Sequence, residues 1–503
     1  MNRRDLLKSV AAFALSPALA RADDVATTPF SKEGLVDLAR DIARKPYAKR
    51  ATVPQAWREM SYDEYRSIWF RSRDAIWSDT DYPLRVDLFH PGLYFPNTVE
   101  VNLVEDGQSR VLPFDFSLFD KTDTAPDLPL EGHLGYSGVR LRAELEKPGI
   151  FQEYAVFQGA SYFRVIARDL VYGLSARGLA VNTAAPEGEE FPDFTRFWIE
   201  RPAMGATTHK IHALMESASV TGIYHFALRP NGKATDVDVS CTLFPRVELG
   251  NVGIAPLTSM FFFDETNRNR FDDFRPAVHD SDGLSILNGR GEMIWRPLAN
   301  PRDVQISSFV DENPQGFGLA QRERRFSDFA DLEALYHKRP SLWITPGEDW
   351  GRGAITLVEI PTDKEIYDNI VAYWRPRDPL AAGSEHSFSY HMTWVDQIET
   401  KKPVSQVLNT RIGKGFTHGE KKVVAVDFAP HEALPDDLED LVIHASSNRL
   451  EVSEGLVQRN PDTGGPRLAF SFQPGDVTAA ELRAQLFYQG RSVTEVWLYR
   501  WTA

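Results

Sequence analysis

Asp368 stands directly before an apolar, aromatic-rich run, Asn369-Ile370-Val371-Ala372-Tyr373-Trp374, that has the composition of a strand. A carboxyl at the mouth of such a strand is partly desolvated. Desolvation disfavours the charged form and raises the pKa toward the range a proton donor needs. The competing reading is a turn aspartate that caps backbone N–H groups. Asp280 lies in His279-Asp280-Ser281-Asp282-Gly283. By itself this is a polar turn, with Asp282 close enough to be confused with Asp280 and His279 able to orient it. Tyr336, Trp343 and Trp350 cluster around Arg339-Pro340 and Gly351 in a segment that reads as a loop. Binding side chains are often on loops, and aromatic core packing is the alternative. With 71 acidic residues in the chain, composition cannot pick out a catalytic pair.

Other chemistries find little support. The chain has no CxxC, no HExxH and no GxGxxG pattern, so no metal and no cofactor is expected. Asp120, Asp123 and Asp127 suggest calcium, but the segment lacks the glycine and terminal glutamate of an EF-hand loop and reads as a solvated acidic loop. Cys241 is the only cysteine and cannot close a disulfide within the chain. It falls on a core-facing stripe, where a packed thiol is the expected role. A formal net charge of −15 argues against nucleic acid or an anionic membrane as the main partner.

Two early segments read as helices. Ser31 starts one whose Leu35, Leu38, Ala39 and Ile42 share a face, and Pro46 stops it. Ser61 and Glu64 form a capping box, with Tyr65, Ile68, Trp69 and Ile76 following at helical spacing. After residue 80 the period falls to two. Val99, Val101 and Leu103 alternate before an Asp106-Gly107 turn. The clearest hairpin runs through Tyr224, Phe226 and Leu228, turns at Asn231-Gly232, and returns through Val237, Val239, Cys241 and Leu243. Further strands are expected near 154–166, 194–200, 353–360, 369–375 and 386–394. Few helices interrupt them, so a parallel βαβ sheet is not expected. A linker over 397–403 precedes about a hundred residues, 404–503, of short strands and turns. Their size and spacing suggest an immunoglobulin-like sandwich.

The start of the chain, Asn2-Arg3-Arg4-Asp5-Leu6-Leu7-Lys8, resembles a twin-arginine export signal. A short apolar run from Val10 to Leu15 and small-x-small sites ending at Ala20 and Ala22 complete it, giving a signal peptide over 1–22. The expected location is the periplasm. The run is too short to span a bilayer and no later stretch is apolar enough, so no stable membrane insertion is expected.

Several stretches resemble the periplasmic glucan biosynthesis proteins G and D. They include Phe157-Gln158-Gly159-Ala160-Ser161-Tyr162-Phe163-Arg164, Tyr172-Gly173-Leu174-Ser175-Ala176-Arg177-Gly178, and Glu190-Phe191-Pro192-Asp193-Phe194-Thr195. Gly253-Ile254-Ala255-Pro256-Leu257-Thr258, His279-Asp280-Ser281-Asp282, Lys338-Arg339-Pro340-Ser341-Leu342-Trp343 and Tyr367-Asp368-Asn369-Ile370-Val371 continue the likeness. The twin-arginine start leans toward protein D. The resemblance implies an all-β chain: a large mutarotase-like β-sandwich over 23–396, then the immunoglobulin-like domain.

It also implies a role in making osmoregulated periplasmic glucans, by inverting hydrolysis or transglycosylation of a β-glucan, with β-1,2 linkage favoured. In that family the aspartate matching Asp368 is the general acid. The one matching Asp280 is the general base, acting through a relay of hydroxyls. Tyr336, Trp343 and Trp350 would then stack on the apolar faces of glucose rings. Arg177, Asp193 and Trp295 fall in matched motifs and would bind sugar hydroxyls, although an internal salt bridge explains Arg177 and Asp193 equally well. The alternative function is a non-catalytic glucan-binding protein that escorts the nascent glucan from a membrane synthase and organises its branching.

Overall fold

A computed structural model describes residues 26–399, 404–415 and 421–503. The expected export signal lies outside these residues, as do positions 400–403 of the expected linker.

Alternating apolar and polar residues make strands with one buried face, and such faces must be covered. Here two large sheets cover each other. One has sixteen strands and the other ten, and pairing is antiparallel almost throughout. The expected hairpin forms from Val220–Pro230 and Ala234–Pro245, with Tyr224 opposite Cys241. Gly232 at its turn has φ +89°, a conformation that favours glycine. Phe226 from this hairpin meets Phe157 and Phe163 of the other sheet, with ring centroids 5.2 Å apart in both cases. Phe157 also contacts Phe197 edge to face. These four rings are almost fully buried and belong to one core that draws on both sheets. The chain is therefore an all-β protein built on a large sandwich.

The last hundred residues enclose a second core that includes Val424, Phe428, Leu468, Phe470, Leu482, Leu486 and Trp497. A four-stranded sheet, with Lys422–Phe428 and Pro466–Phe472 at its centre, covers one side of it. The strands on the other side continue the sixteen-stranded sheet. Val496–Thr502 pairs in parallel with Met293–Pro297, placing Trp497 opposite Trp295. Beside this seam Glu495, fully buried, accepts two hydrogen bonds from Arg322 at 2.7 and 2.8 Å, and another from the Val407 N–H at 2.8 Å. The Arg322 guanidinium also lies 3.5 Å from the Trp295 ring centroid.

Two expectations need correction. The Ser61–Glu64 capping box is present, but its helix ends at Arg66. Ile68, Trp69 and Phe70 leave it to pair with Phe119–Lys121, because a β-branched and aromatic triplet fits a strand better than a helix. The segment around Trp343 is not a loop. Ser341–Pro346 is an interior strand between Gly316–Ala320 and His386–Val395. A Cβ on Gly316 would stand 2.4 Å from Trp343 Cζ2, so the bare glycine is what lets the indole lie across that strand.

Replacing Phe226 by Ala should lower unfolding free energy by about 3–5 kcal/mol, read from urea denaturation. Glu495→Gln strands a buried guanidinium and should cost about 3–5 kcal/mol in the same measurement.

Candidate active site

Asp368 ends the loop that leads into strand Ile370–Pro376 of the ten-stranded sheet. Its neighbour Asn369, 2% exposed, locks that loop. The Asn369 Oδ1 accepts from the Phe261 N–H at 2.8 Å, and its Nδ2 donates to the carbonyls of Phe261 and Ile360, both at 3.0 Å. The side chain of Asp368 keeps 30% of its surface, so water reaches it. The surrounding protein still removes part of its hydration. That burial pushes its carboxyl above the ordinary aspartate range, while Arg164, Arg177 and Arg339 pull the other way. Arg164 is the near cation, with a terminal nitrogen 3.7 Å from Oδ2.

Asp280 follows the short strand Val278–His279 and is held by its own N–H, which donates to the Met260 carbonyl at 2.8 Å. Its side chain is 11% exposed, and Arg339 Nε stands 3.4 Å from Oδ1. That oxygen has no hydrogen-bond partner among the described residues. Burial raises its pKa, Arg339 lowers it, and the charge of Asp368 raises it again. The charge of Asp368 therefore reaches Asp280, and the two share the fields of Arg339 and Arg164. Arg339 is seated by a glycine: a Cβ on Gly173 would come within 3.0 Å of the arginine's Cβ and Cδ. Buried next to Asp280, Ser281 and Ser259 exchange a hydroxyl hydrogen bond at 2.9 Å.

The other expected residues spread out. Arg177 is buried, gives its Nε–H to Thr258 at 2.8 Å, and pairs with Glu189 at 2.5 Å. It is an internal ion pair that still acts electrostatically on Asp368. Tyr336 is almost fully buried, with the Arg339 guanidinium 5.3 Å from its ring centroid, and it feels the charge of Asp280. Asp193 pairs with Arg50 at 2.9 Å and lines a separate small cavity with Tyr94 and Phe95. Trp343 is half-buried in its interior strand. The expectation of open stacking platforms does not hold for Tyr336 and Trp350, nor does that of a sugar-hydroxyl contact for Trp295, since all three are buried. Trp350 packs against Trp374, Phe388 and Tyr390 in the main core. Trp295 belongs to the second core, beneath Arg322.

Sequence reasoning passed over Arg164, Arg339 and Asn369 as site residues. All three sit inside the quoted motifs, and arginines flanking a candidate carboxyl were the available signal. A cavity of about 1050 Å3 lies elsewhere, lined by Arg290, Arg352, Arg375 and Arg377 among others. It is at the far end of strand Ile370–Pro376, roughly 23 Å from Asp368 at about 3.3 Å per residue. Chemically, Asp280 is a recessed carboxyl and Asp368 a partly open one, both with raised pKa values and nearby but loosely held cations. Such a pair can supply one proton donor and one proton acceptor.

The model of the family described as periplasmic glucan biosynthesis protein, MdoG, matches residues 30–501. The chain is 47% identical over 480 residues to glucans biosynthesis protein G of Vibrio cholerae serotype O1, covering 95% of this chain and 87% of that one. It is 46% identical over 479 residues to glucans biosynthesis protein G 1 of Shewanella oneidensis, covering 95% and 88%. Among solved structures, the GH36 α-galactosidase AgaB of Geobacillus stearothermophilus aligns at 10% identity and a TM-score of 0.25, over 52% of this chain and 39% of that one. A galactose mutarotase related enzyme of Lactobacillus acidophilus aligns at 11% identity and a TM-score of 0.20, over 53% and 94%. Likenesses that low carry no argument. The match across nearly the whole chain does: the protein belongs to the periplasmic glucan biosynthesis family, MdoG.

Proposed function

We propose that this protein acts in the periplasm in the biosynthesis of osmoregulated glucans, cleaving or transferring a β-glucan, with β-1,2 linkage favoured, by an inverting mechanism. Asp368 is the general acid that protonates the glycosidic oxygen. Asp280 is the general base that withdraws a proton from water, or from an acceptor hydroxyl in transfer, on the opposite face of the sugar. The observation that carries this reading is that both aspartates stand under nearby arginines, Arg339 3.4 Å from Asp280 and Arg164 3.7 Å from Asp368, with the charge of Asp368 reaching Asp280 and both carboxyls pushed up by burial. An acid must hold its proton until the substrate is bound, and burial shifts the Asp368 carboxyl in that direction. The cations beside both carboxyls keep either from being permanently neutral. Ser259 and Ser281 are the hydroxyls next to Asp280 that suit a proton relay. Among the described residues no helix is long and apolar enough to cross a membrane.

A second reading, a glucan escort without catalysis, is favoured by the 1050 Å3 cavity, because neither aspartate lines it. The two readings part on products. Incubation with linear β-1,2-glucan should release new reducing ends or rearranged chains, seen by mass and anomeric NMR. An escort binds the glucan and leaves its length unchanged.

Asp368→Asn should reduce turnover by about 10²–10⁴-fold while leaving glucan binding in place. The pH profile carries a second expectation. The acid works protonated, so activity should fall as pH rises through the raised pKa of Asp368. Arg164 favours the charged carboxylate, so Arg164→Gln should raise that pKa further and move the alkaline limb to higher pH. An alkaline limb unmoved by Arg164→Gln would remove Asp368 from the acid role.

A further inference from the structure

On the side of Asp280 that faces the C-terminal sandwich, a second group of side chains converges. His279, Asp282 and Glu323 each offer a donor atom, and these atoms lie within 4.8 Å of one another. His279 is 1% exposed, and the side chains of Asp282 and Glu323 are 15% and 14% exposed. With Asp264, Glu265 and Asn409 they line a void of about 20 Å3. That is about the space a single water or small ion takes, on the order of 10–15 Å3 or more.

The tautomer of His279 is set from behind. Gln321 is fully buried, and its Nε2 donates to the carbonyls of His279 at 2.9 Å and Tyr336 at 3.2 Å. Its Oε1 is therefore the atom 2.9 Å from His279 Nδ1, and it can only accept. In the neutral ring the proton sits on Nδ1, and Nε2 is left with a lone pair. Nε2 makes no hydrogen bond among the described residues; Glu323 Oε2 stands 4.0 Å from it, while Asp282 Oδ1 lies 3.4 Å from Nδ1. Fixing one imidazole nitrogen with an acceptor is how proteins ready the other for a metal.

Two oxygens in the group are also unsatisfied. Glu323 Oε2 and Asn409 Oδ1 are buried without a hydrogen-bond partner. The Asn409 Nδ2 already donates to Glu323 at 2.8 Å and to Glu265 at 3.2 Å. Positive charge is scarce. Arg411 pairs with Glu265 at 3.1 Å but is shared with Asp427, and Arg322 is committed to Glu495. Four carboxylates, Asp264, Glu265, Asp282 and Glu323, are thus gathered around one void, with Arg411 shared and Arg324 acting on Asp282 from outside it. Burial and the neighbouring carboxylates push the Glu323 carboxyl up to about 10, so full charge on the group is costly without a counter-ion, and a cation in the void relieves it.

We propose that His279, Asp282 and Glu323, closed from the C-terminal side by Asn409, bind a divalent cation that ties strand Val407–Lys414 to the turn carrying Asp280. One imidazole nitrogen among carboxylate and amide oxygens suits Zn²⁺ or Mn²⁺ better than Ca²⁺. No signature announced it, since Glu323 follows Asp282 by 41 residues and meets it only through the fold.

The test uses the untagged full chain, stripped with EDTA and exchanged into metal-free buffer. Thermal unfolding is followed with Zn²⁺, Mn²⁺ or Ca²⁺ added singly, and bound metal is measured after gel filtration. Zn²⁺ or Mn²⁺ should be retained at one ion per chain and raise the unfolding midpoint by at least about 2 °C near 100-fold excess over the dissociation constant. Glu323→Gln should abolish both effects, yet in EDTA it should melt at or above the parent chain, because it removes one of the crowded charges. Asn409→Ala, on the other side of the seam, should weaken metal affinity by about tenfold and leaves the large sandwich untouched. No shift with any of the three ions, or a shift that survives Glu323→Gln, overturns the proposal.

Discussion

A carboxyl taken out of bulk water must meet positive charge or take up a proton, and this protein uses that constraint at several depths. Where the partner is close and fully engaged, the result is structural. Glu495 takes both nitrogens of Arg322 at 2.7–2.8 Å and seals the junction of the two cores. Where the partner stands off, the group remains able to change its protonation. Asp280 and Asp368 have arginines at 3.4 and 3.7 Å, in ionic contact but without hydrogen bonds to them. The distance to the cation separates a strut from a titratable group.

The same logic explains why the site sits where it does. Strands of the large sandwich spend their inward faces on the shared aromatic core, so chemistry is left to the segments that enter and leave them. Asp368 precedes a core strand, and Asp280 lies between two strands. Each is immobilised by neighbours whose hydrogen bonds go to backbone: Asn369 in one case, Gln321 behind His279 in the other. These amides supply rigidity without charge, which leaves the arginines to set the electrostatics. Through the pairing of Met293–Pro297 with Val496–Thr502, the C-terminal core is continuous with the sheet that follows Asp280 in the chain. The strand that follows the candidate base is thus in a sheet that the C-terminal strands extend.

Local pattern told much about the elements. The Tyr224–Leu243 hairpin, with its Asn231-Gly232 turn and core-facing Cys241, forms as its alternation demands. The helix capped by Ser31 runs over Lys32–Ala43 for the same reason. The pattern misled where two periods competed. Ile68 and Trp69 fit a helical stripe, but their strand partner at Phe119–Lys121 is some fifty residues away. Trp343 sat among prolines and glycines that suggested a loop, and only the neighbouring Gly316 shows why that strand can be interior. Trp350 and Trp295 looked available for a ligand because sequence does not say which aromatic faces are already covered.

By itself, then, the amino-acid sequence determined the all-β character, the main hairpin, the family motifs and the candidacy of Asp368 and Asp280. These rest on short-range periodicity and on residue identity, both of which can be read along a line. The tertiary structure alone decided which cations face those aspartates, that Trp350 and Trp295 are core, and that His279, Asp282 and Glu323 surround one void with Asn409. Electrostatic coupling and burial depend on distance through space, and residues more than a hundred positions apart meet here only because the sheets stack and join.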